Sequence, residues 1–173
     1  MQIIDNFLSK EDFKVLKSAI ISRDFPYYYT DCVASENDKK NFYLRHQVYY
    51  SGVPHSPIFD LFEKTVLKHK SLEIIALLRI KINFYPRSEK RIIHPKHIDY
   101  DFKHFTDGDK VKQKALILSL NTCDGATIIY DNEKTYEIAS VENRALFFNP
   151  TKLHSSTNCT NEHGRFNINI NYI

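Results

Sequence analysis

The sequence predicts a mainly β fold, either a β-sandwich or a jelly roll, with two helices packed on one side. Two stretches with helical periodicity lie before residue 73, six short β-rich runs follow them, and turn signals separate these runs. The 173 residues fit a single domain, 1–173, which we divide into a helical part of about 1–73 and a β core of about 74–173. With 42% hydrophobic residues, the chain can bury a sizeable core.

Two helices are predicted in the first part of the chain. The first runs from about Lys10 to Ser22, and Ser9 with Asp12 forms a capping signal at its start. The second begins after Pro57 and extends to Leu72 at the longest. The apolar residues at helical spacing are Ile3, Ile4, Phe7, Leu8, Phe13, Leu16 and Ile20 in the first stretch and Ile58, Leu61, Phe62 and Val66 in the second.

The predicted strands are short and follow one another closely. The last one alternates strictly, so that Phe166, Ile168 and Ile170 point to one face and a row of polar residues points to the other. This polar row is either a solvated face or the lining of a polar cavity. The predicted strands are 74–85, 115–120, 127–130, 135–138, 144–148 and 165–172, and the polar row is Arg165, Asn167, Asn169 and Asn171.

Composition and charge exclude several classes of protein. A formal net charge of +3 is too small to indicate a nucleic-acid partner. Three cysteines without CxxC spacing predict neither a disulfide framework nor a zinc site. No apolar run approaches the roughly 20 residues of a membrane span, and the N-terminus lacks the layout of a signal peptide. We therefore expect a cytoplasmic protein that does not bind membranes. The oligomeric state is left open.

The histidines are the residues to inspect for a metal site. His97 is followed by Asp99 at i+2, and in an extended segment both side chains lie on one face and can reach one ion. Eight histidines and 21 acids produce such a pair by chance, so a third ligand is needed. His154, which follows a predicted buried strand and a turn, is the candidate. Two imidazoles and one carboxylate suit Fe(II). His94 would face the opposite side, and we expect it on the loop surface.

Arg165 is the candidate cation for a ligand that also binds the metal. A dicarboxylate that chelates the metal at one end requires a cation for its far carboxylate, and the planar guanidinium of Arg binds carboxylates in a bidentate manner. Arg165 opens the alternating strand after His154.

The order His97, Asp99, His154 and Arg165 resembles the signature of the 2-oxoglutarate/Fe(II)-dependent oxygenase superfamily, over about residues 74–172. The local sequence is most similar to small prolyl-hydroxylase-like members from phages and bacteria. The resemblance implies a double-stranded β-helix, or jelly roll. It also implies Fe(II) bound by the two histidines and the aspartate, and 2-oxoglutarate held by the arginine, with ascorbate as an optional reductant.

Two further residues gain a role from the resemblance. Asn83 and Tyr85 match an Asn-x-Tyr pattern that supplies hydrogen bonds to the cosubstrate in the superfamily's alkylation-repair branch. That branch has a second arginine where this chain has Asn171, which disfavours nucleic-acid demethylation.

The implied activity is a dioxygenase reaction that couples the oxidative decarboxylation of 2-oxoglutarate to hydroxylation of a substrate C–H. A peptidyl proline or another protein side chain is the favoured substrate, and a small metabolite is the alternative. A nucleic-acid demethylase ranks lower, and a non-catalytic jelly-roll binding module with an accidental His-x-Asp stays open. The aromatic segment 25–29 and residues 100–102 either face the substrate or only fill space.

Overall fold

The computed structural model describes residues 1–34, 41–99 and 112–173. Within these ranges the chain is mainly β, with eleven strands and two helices. The helices are α1 (Lys10–Ile20) and α2 (Phe59–Lys64). The strands are β1 (Gln2–Ile4), β2 (Tyr28–Thr30), β3 (Tyr43–Tyr50), β4 (Val53–Pro54), β5 (Leu77–Pro86), β6 (Lys114–Ser119), β7 (Ala126–Asp131), β8 (Lys134–Ala139), β9 (Ala145–Phe148), β10 (His154–Ser156) and β11 (Gly164–Tyr172).

The strands form two antiparallel sheets in the described part of the chain. The larger sheet has the order β1-β9-β6-β11-β5-β3-β2, and β4 pairs with β3 beside it. The smaller sheet has the order β10-β7-β8. The predicted mainly β fold with two helices is confirmed, and the six predicted runs correspond to β5, β6, β7, β8, β9 and β11.

Two apolar clusters hold the layers together. The main cluster lies between the helices and one face of the larger sheet. It includes Phe13, Leu16 and Ile20 of α1, whose burial contributes about 1.5–3 kcal/mol each. The second cluster joins the other face of the larger sheet to the smaller sheet, and consists of Ala115, Ile117, Ile129, Ile138, Leu146 and Phe148. The helices therefore cover one face of the larger sheet and the smaller sheet covers the other.

The helices are shorter than predicted. The Ser9 hydroxyl accepts a hydrogen bond of 3.1 Å from the backbone N–H of Asp12, as the capping signal predicts. However, α1 ends at Ile20 and not at Ser22. The second helix ends at Lys64, well before Leu72, and turns follow it. No helix in the described ranges combines the length and the apolar character needed to cross a membrane.

The first 73 residues are not only helical, which corrects the predicted division of the chain. Strands β1 to β4 lie in this part, and all of them belong to the larger sheet. The most important is β3, because its eight residues extend along β5 and widen the sheet beyond the predicted core. A register shift between Gln47 and Tyr49 breaks its alternation, and this irregularity concealed the strand in the sequence.

The polar face of β11 lines a cavity and is not solvated. Its four polar residues are all at least 94% buried, and they face the smaller sheet, opposite the apolar face that packs on the helices. Strand β5 lies beside β11 and presents its own polar residues on the same face. The facing pairs are Arg165 with Tyr85, Asn167 with Asn83, Asn169 with Lys81 and Asn171 with Arg79.

Candidate metal centre

His97, Asp99 and His154 converge at one point between the two sheets. One ligand atom from each of the three side chains lies within 4.8 Å of the others. The backbone explains this, because His97 and His154 form an isolated antiparallel pair with N–H···O distances of 2.9 and 2.8 Å. The backbone N–H of Asp99 donates to the carbonyl of Pro150 at 3.0 Å. The chain segments that carry the ligands are thus hydrogen-bonded to one another.

Backbone carbonyls orient both imidazoles. Nδ1 of His97 lies 3.2 Å from the carbonyl oxygen of Pro95, and Nδ1 of His154 lies 3.0 Å from that of Lys152. A carbonyl can only accept, so each Nδ1 carries the hydrogen and each Nε2 keeps a lone pair for a metal. Burial, together with the neighbouring His154, lowers the pKa of His97 to about 4. His97 is therefore neutral at pH 7, as a metal ligand must be.

Asp99 accepts hydrogen bonds on both carboxylate oxygens. Oδ1 accepts from Arg79 at 2.9 Å, and Oδ2 accepts from the side-chain amides of Asn169 at 3.0 Å and Asn171 at 3.1 Å. Burial alone would raise the pKa of Asp99, but Arg79 and the other neighbouring cationic groups hold it well below its usual range. Oδ1 also lies 3.8 Å from Nε2 of His154, so this oxygen faces the other ligands.

The three side chains fit a ferrous ion. Two neutral imidazoles with free Nε2 atoms and one ionised carboxylate form the donor set that suits non-haem Fe(II) and leaves positions for other ligands. The apolar ring of Phe148 packs edge-on against His154, at 5.0 Å between centroids.

Arg165 lies at the other end of the same cavity. Its side chain is 1% exposed, and its Nη atoms donate to the Thr127 hydroxyl at 2.7 Å and to the Thr157 carbonyl at 3.2 Å. Its Nε is buried without a hydrogen-bond partner, and no carboxylate among the described residues forms an ion pair with it. Burial lowers the pKa of Arg165. A buried cation without a counter-ion is costly, so the site fits a ligand carboxylate.

Asn83 and Tyr85 line the cavity between these two ends. The same cavity is lined by His97, Asp99, His154 and Arg165. Asn83 donates to Oδ1 of Asn167 at 2.9 Å, while its own Oδ1 is buried without a partner in the described ranges. The Tyr85 ring stacks on Tyr43, with 5.5 Å between centroids. Both side chains therefore border the space that a cosubstrate would occupy, and their contact with it stays a prediction.

His94 differs from the sequence prediction. We expected it on the surface, but it is 4% exposed, stacks on Tyr85 and has Nδ1 2.9 Å from the Ser156 hydroxyl oxygen. The segment that carries it pairs with its neighbours through isolated β-bridges, at Ile93 and at His97, and does not form a continuous strand. In a regular strand, residues three apart point to opposite faces. Because this segment is not a regular strand, that rule does not apply to His94 and His97.

The sequence analysis did not identify Arg79 and Lys81 as site residues. Both lie on β5, on the face shared with Asn83 and Tyr85. A signal was present, since alternation along 79–85 places all four on one face.

The aromatic segment 25–29 divides between core and surface. Phe25 and Tyr27 pack against the main core, whereas Tyr28 and Tyr29 are 62% and 66% exposed. Residues 100–102 lie outside the described ranges.

Comparison with known proteins gives similarity of structure only. No family model and no curated protein matches the sequence. Among the similar solved structures is a prolyl hydroxylase from Trichoplax adhaerens in complex with a hypoxia-inducible factor peptide, at 14% identity and a TM-score of 0.63, covering 99% of this chain and 82% of that one.

Two other similar structures are bacterial. One is an oxidoreductase of the 2OG-Fe(II) oxygenase family from Burkholderia pseudomallei, at 9% identity and a TM-score of 0.61, covering 94% of this chain and 78% of that one. The other is HygX from Streptomyces hygroscopicus with nickel and 2-oxoglutarate bound, at 10% identity and a TM-score of 0.63, covering 98% and 81%. The chain therefore has a fold similar to that of prolyl hydroxylases and 2-oxoglutarate/Fe(II) oxygenases, as the order of its histidines, aspartate and arginine predicts.

Proposed function

We propose that this protein is an Fe(II)/2-oxoglutarate-dependent dioxygenase whose residues 1–173 form one jelly-roll oxygenase domain. One observation carries the proposal. His97, Asp99 and His154 bring three ligand atoms within 4.8 Å of one another, in the cavity that also contains the buried Arg165, which has no carboxylate partner among the described residues. A metal site and a carboxylate site in one cavity match a keto diacid that binds both.

The roles of the side chains follow from their geometry. His97, Asp99 and His154 would hold the iron, and Arg165 would bind the distal carboxylate of 2-oxoglutarate. Asn83 and Tyr85 would contact the cosubstrate between them. Bound iron and 2-oxoglutarate supply the oxidising power that converts a substrate C–H into C–OH with dioxygen, releasing succinate and carbon dioxide.

Neighbouring backbone and side-chain groups orient the three predicted ligands. The carbonyls of Pro95 and Lys152 fix the imidazole tautomers, and Arg79 with Asn169 and Asn171 keeps the Asp99 carboxylate ionised and oriented. The apolar cluster between the sheets excludes water from one side of the site.

The sequence favours a peptidyl proline or another protein side chain as the substrate, with a small metabolite as the alternative. The similar Trichoplax structure, which is a prolyl hydroxylase with a peptide, supports the first by analogy of fold alone. One observation of this chain supports the second and is argued below: Lys81 lines the cavity and has no carboxylate partner among the described residues.

Calorimetry with Mn(II) in place of Fe(II) tests the proposal. We expect the protein to bind Mn(II) and to bind 2-oxoglutarate more tightly when the metal is present. His154→Ala should abolish both metal-linked binding and succinate release, whereas the exposed His163→Ala should change neither. If 2-oxoglutarate affinity does not depend on the metal, the alternative of a non-catalytic binding module is correct.

A further inference from the structure

Lys81 occupies a specific place in the cavity. It lies on β5 directly opposite Asn169 of β11, and Asn169 in turn donates to Asp99. Lys81 is therefore level with the metal ligands, whereas Arg165 is four residues farther along β11, about 13 Å at the usual strand rise. Lys81 and the metal ligands line the same cavity.

The Lys81 ammonium has few partners. Among the described residues it makes one hydrogen bond, to the hydroxyl of Tyr43 at 3.4 Å, and Nζ lies 5.4 Å from the centroid of that ring. No carboxylate in the described ranges forms an ion pair with it, and the carboxylate of Asp99 pairs with Arg79. An ammonium group has three N–H donors, so most of its hydrogen-bonding capacity is unused.

The charges around the cavity leave an excess of positive charge. Lys81, Arg79 and Arg165 are cations, and Asp99 is the carboxylate that faces them among the described residues. Fe(II) and the 2-oxoglutarate dianion add equal and opposite charges, so binding both does not remove the excess. Burial, together with Arg79, lowers the pKa of Lys81 to about 7, and a carboxylate bound beside it would raise this pKa and keep the ammonium charged.

Two acceptors near Lys81 also lack partners. Oδ1 of Asn83 and Oδ1 of Asn169 are buried without hydrogen bonds in the described part of the chain. Both side chains line the cavity beside Lys81. A ligand that carries a carboxylate together with hydroxyl or amino groups would satisfy the ammonium and these acceptors.

We propose that the Lys81 ammonium binds a carboxylate of the primary substrate beside the metal. This inference rests on the proposed function and defines its substrate class. A proline within a peptide carries no charge at its reacting residue, so a Lys81 site favours a small carboxylic acid, such as an amino acid or a hydroxy acid.

The directions of the two cations support a separate site. Lys81 turns toward Tyr43 of β3, whereas Arg165 turns toward Thr127 of β7 in the smaller sheet. The two cationic groups therefore point to different sides of the cavity. The metal-binding end of 2-oxoglutarate is the other possible source of a carboxylate, and the experiment must distinguish it from the substrate.

The test uses the protein loaded with Mn(II) and saturating 2-oxoglutarate, and propionate as the probe. Mn(II) shortens the proton relaxation times of a molecule held next to it. We expect the protein to enhance the relaxation of propionate but not that of the uncharged propionamide. Lys81→Met should weaken this effect about tenfold or more, because it removes a charge-assisted hydrogen bond. Lys81→Arg should retain it, and the exposed Lys134→Met should leave it unchanged.

The outcomes separate the possibilities. Equal propionate relaxation in wild type and Lys81→Met, or none in wild type, would overturn the inference while leaving the proposed function intact. A parallel loss of 2-oxoglutarate affinity in Lys81→Met would assign the carboxylate to the cosubstrate and overturn the primary substrate as its source. Failure of the wild-type protein to bind Mn(II) and 2-oxoglutarate would instead refute the proposed function.

Discussion

Arg79 donates a hydrogen bond of 2.9 Å to Oδ1 of Asp99, one of the three predicted iron ligands, and both side chains are largely buried. The same guanidinium donates through Nε to Oδ1 of Asn171 at 3.0 Å, from the facing position on β5. Asn171 is the position at which the alkylation-repair pattern has a second arginine. In this chain the cation at that level of the cavity comes from the neighbouring strand.

Replacing Arg79 with methionine should weaken Mn(II) binding about tenfold to a hundredfold. Without the ion pair, burial raises the pKa of Asp99, so the metal must displace a proton from a carboxylate that is also less well oriented. Titration of metal-free protein with Mn(II) at pH 7, followed by electron paramagnetic resonance, measures the change. Arg23→Met, at an exposed position, is the matched control. Unchanged or tighter binding would mean that Arg79 competes with the metal for Oδ1.

The stability of the metal-free protein should decrease as the pH falls from about 6.5 to about 4, with His97 contributing. The folded state holds the pKa of His97 at about 4, below the usual 6.5. In this window the unfolded chain therefore binds a proton at His97 that the folded chain does not, and protonation favours unfolding. Urea unfolding at pH 7, 5.5 and 4.5 measures the slope. His97→Gln should have a shallower slope, and an identical slope in both proteins would contradict this assignment.

The sequence was sufficient to predict that the His97 and Asp99 side chains share one face and that Arg165 lies on a polar face, because both patterns are local. The His-x-Asp pair needs only an extended backbone, and the alternation of 165–172 placed Arg165 and the three asparagines on one face. The structure confirms this alternation and shows that the face is buried. What could not be predicted was whether the row faced solvent or a cavity, since that depends on the smaller sheet packing over it.

Other features depend on contacts between distant segments. Strand β3 was missed because a register shift interrupts its pattern, and without β3 the environment of Lys81 could not be recognised. The early end of α2 was missed as well, because apolar spacing continues to Leu72. There the Thr65 hydroxyl donates to the carbonyl of Leu61 at 2.6 Å, in the turn that ends the helix.

Replacing Arg165 with methionine should weaken 2-oxoglutarate binding at least tenfold while changing Mn(II) affinity little. The guanidinium is buried without a counter-ion in the part of the chain that the structure describes, so it is costly in the empty protein and useful only when a carboxylate is present. We therefore also expect the metal-free variant to be no less stable than wild type. Calorimetry and urea unfolding test the two parts. Equal loss of metal and 2-oxoglutarate affinity would make Arg165 a purely structural residue.

Replacing Gly125 with alanine should reduce both stability and 2-oxoglutarate affinity. A Cβ at Gly125 would lie 2.6 Å from the backbone oxygen of Asn158 and 2.7 Å from Cδ of Arg165, so the arginine must move. Overpacking of this kind costs about 1–3 kcal/mol. Gly52→Ala is the matched control, because nothing lies within 4 Å of its Cβ and its cost comes only from a positive φ of 87°. Both variants should unfold at lower urea concentration, but only Gly125→Ala should bind 2-oxoglutarate more weakly. If Gly125→Ala keeps wild-type 2-oxoglutarate affinity, the position of the Arg165 side chain does not limit cosubstrate binding.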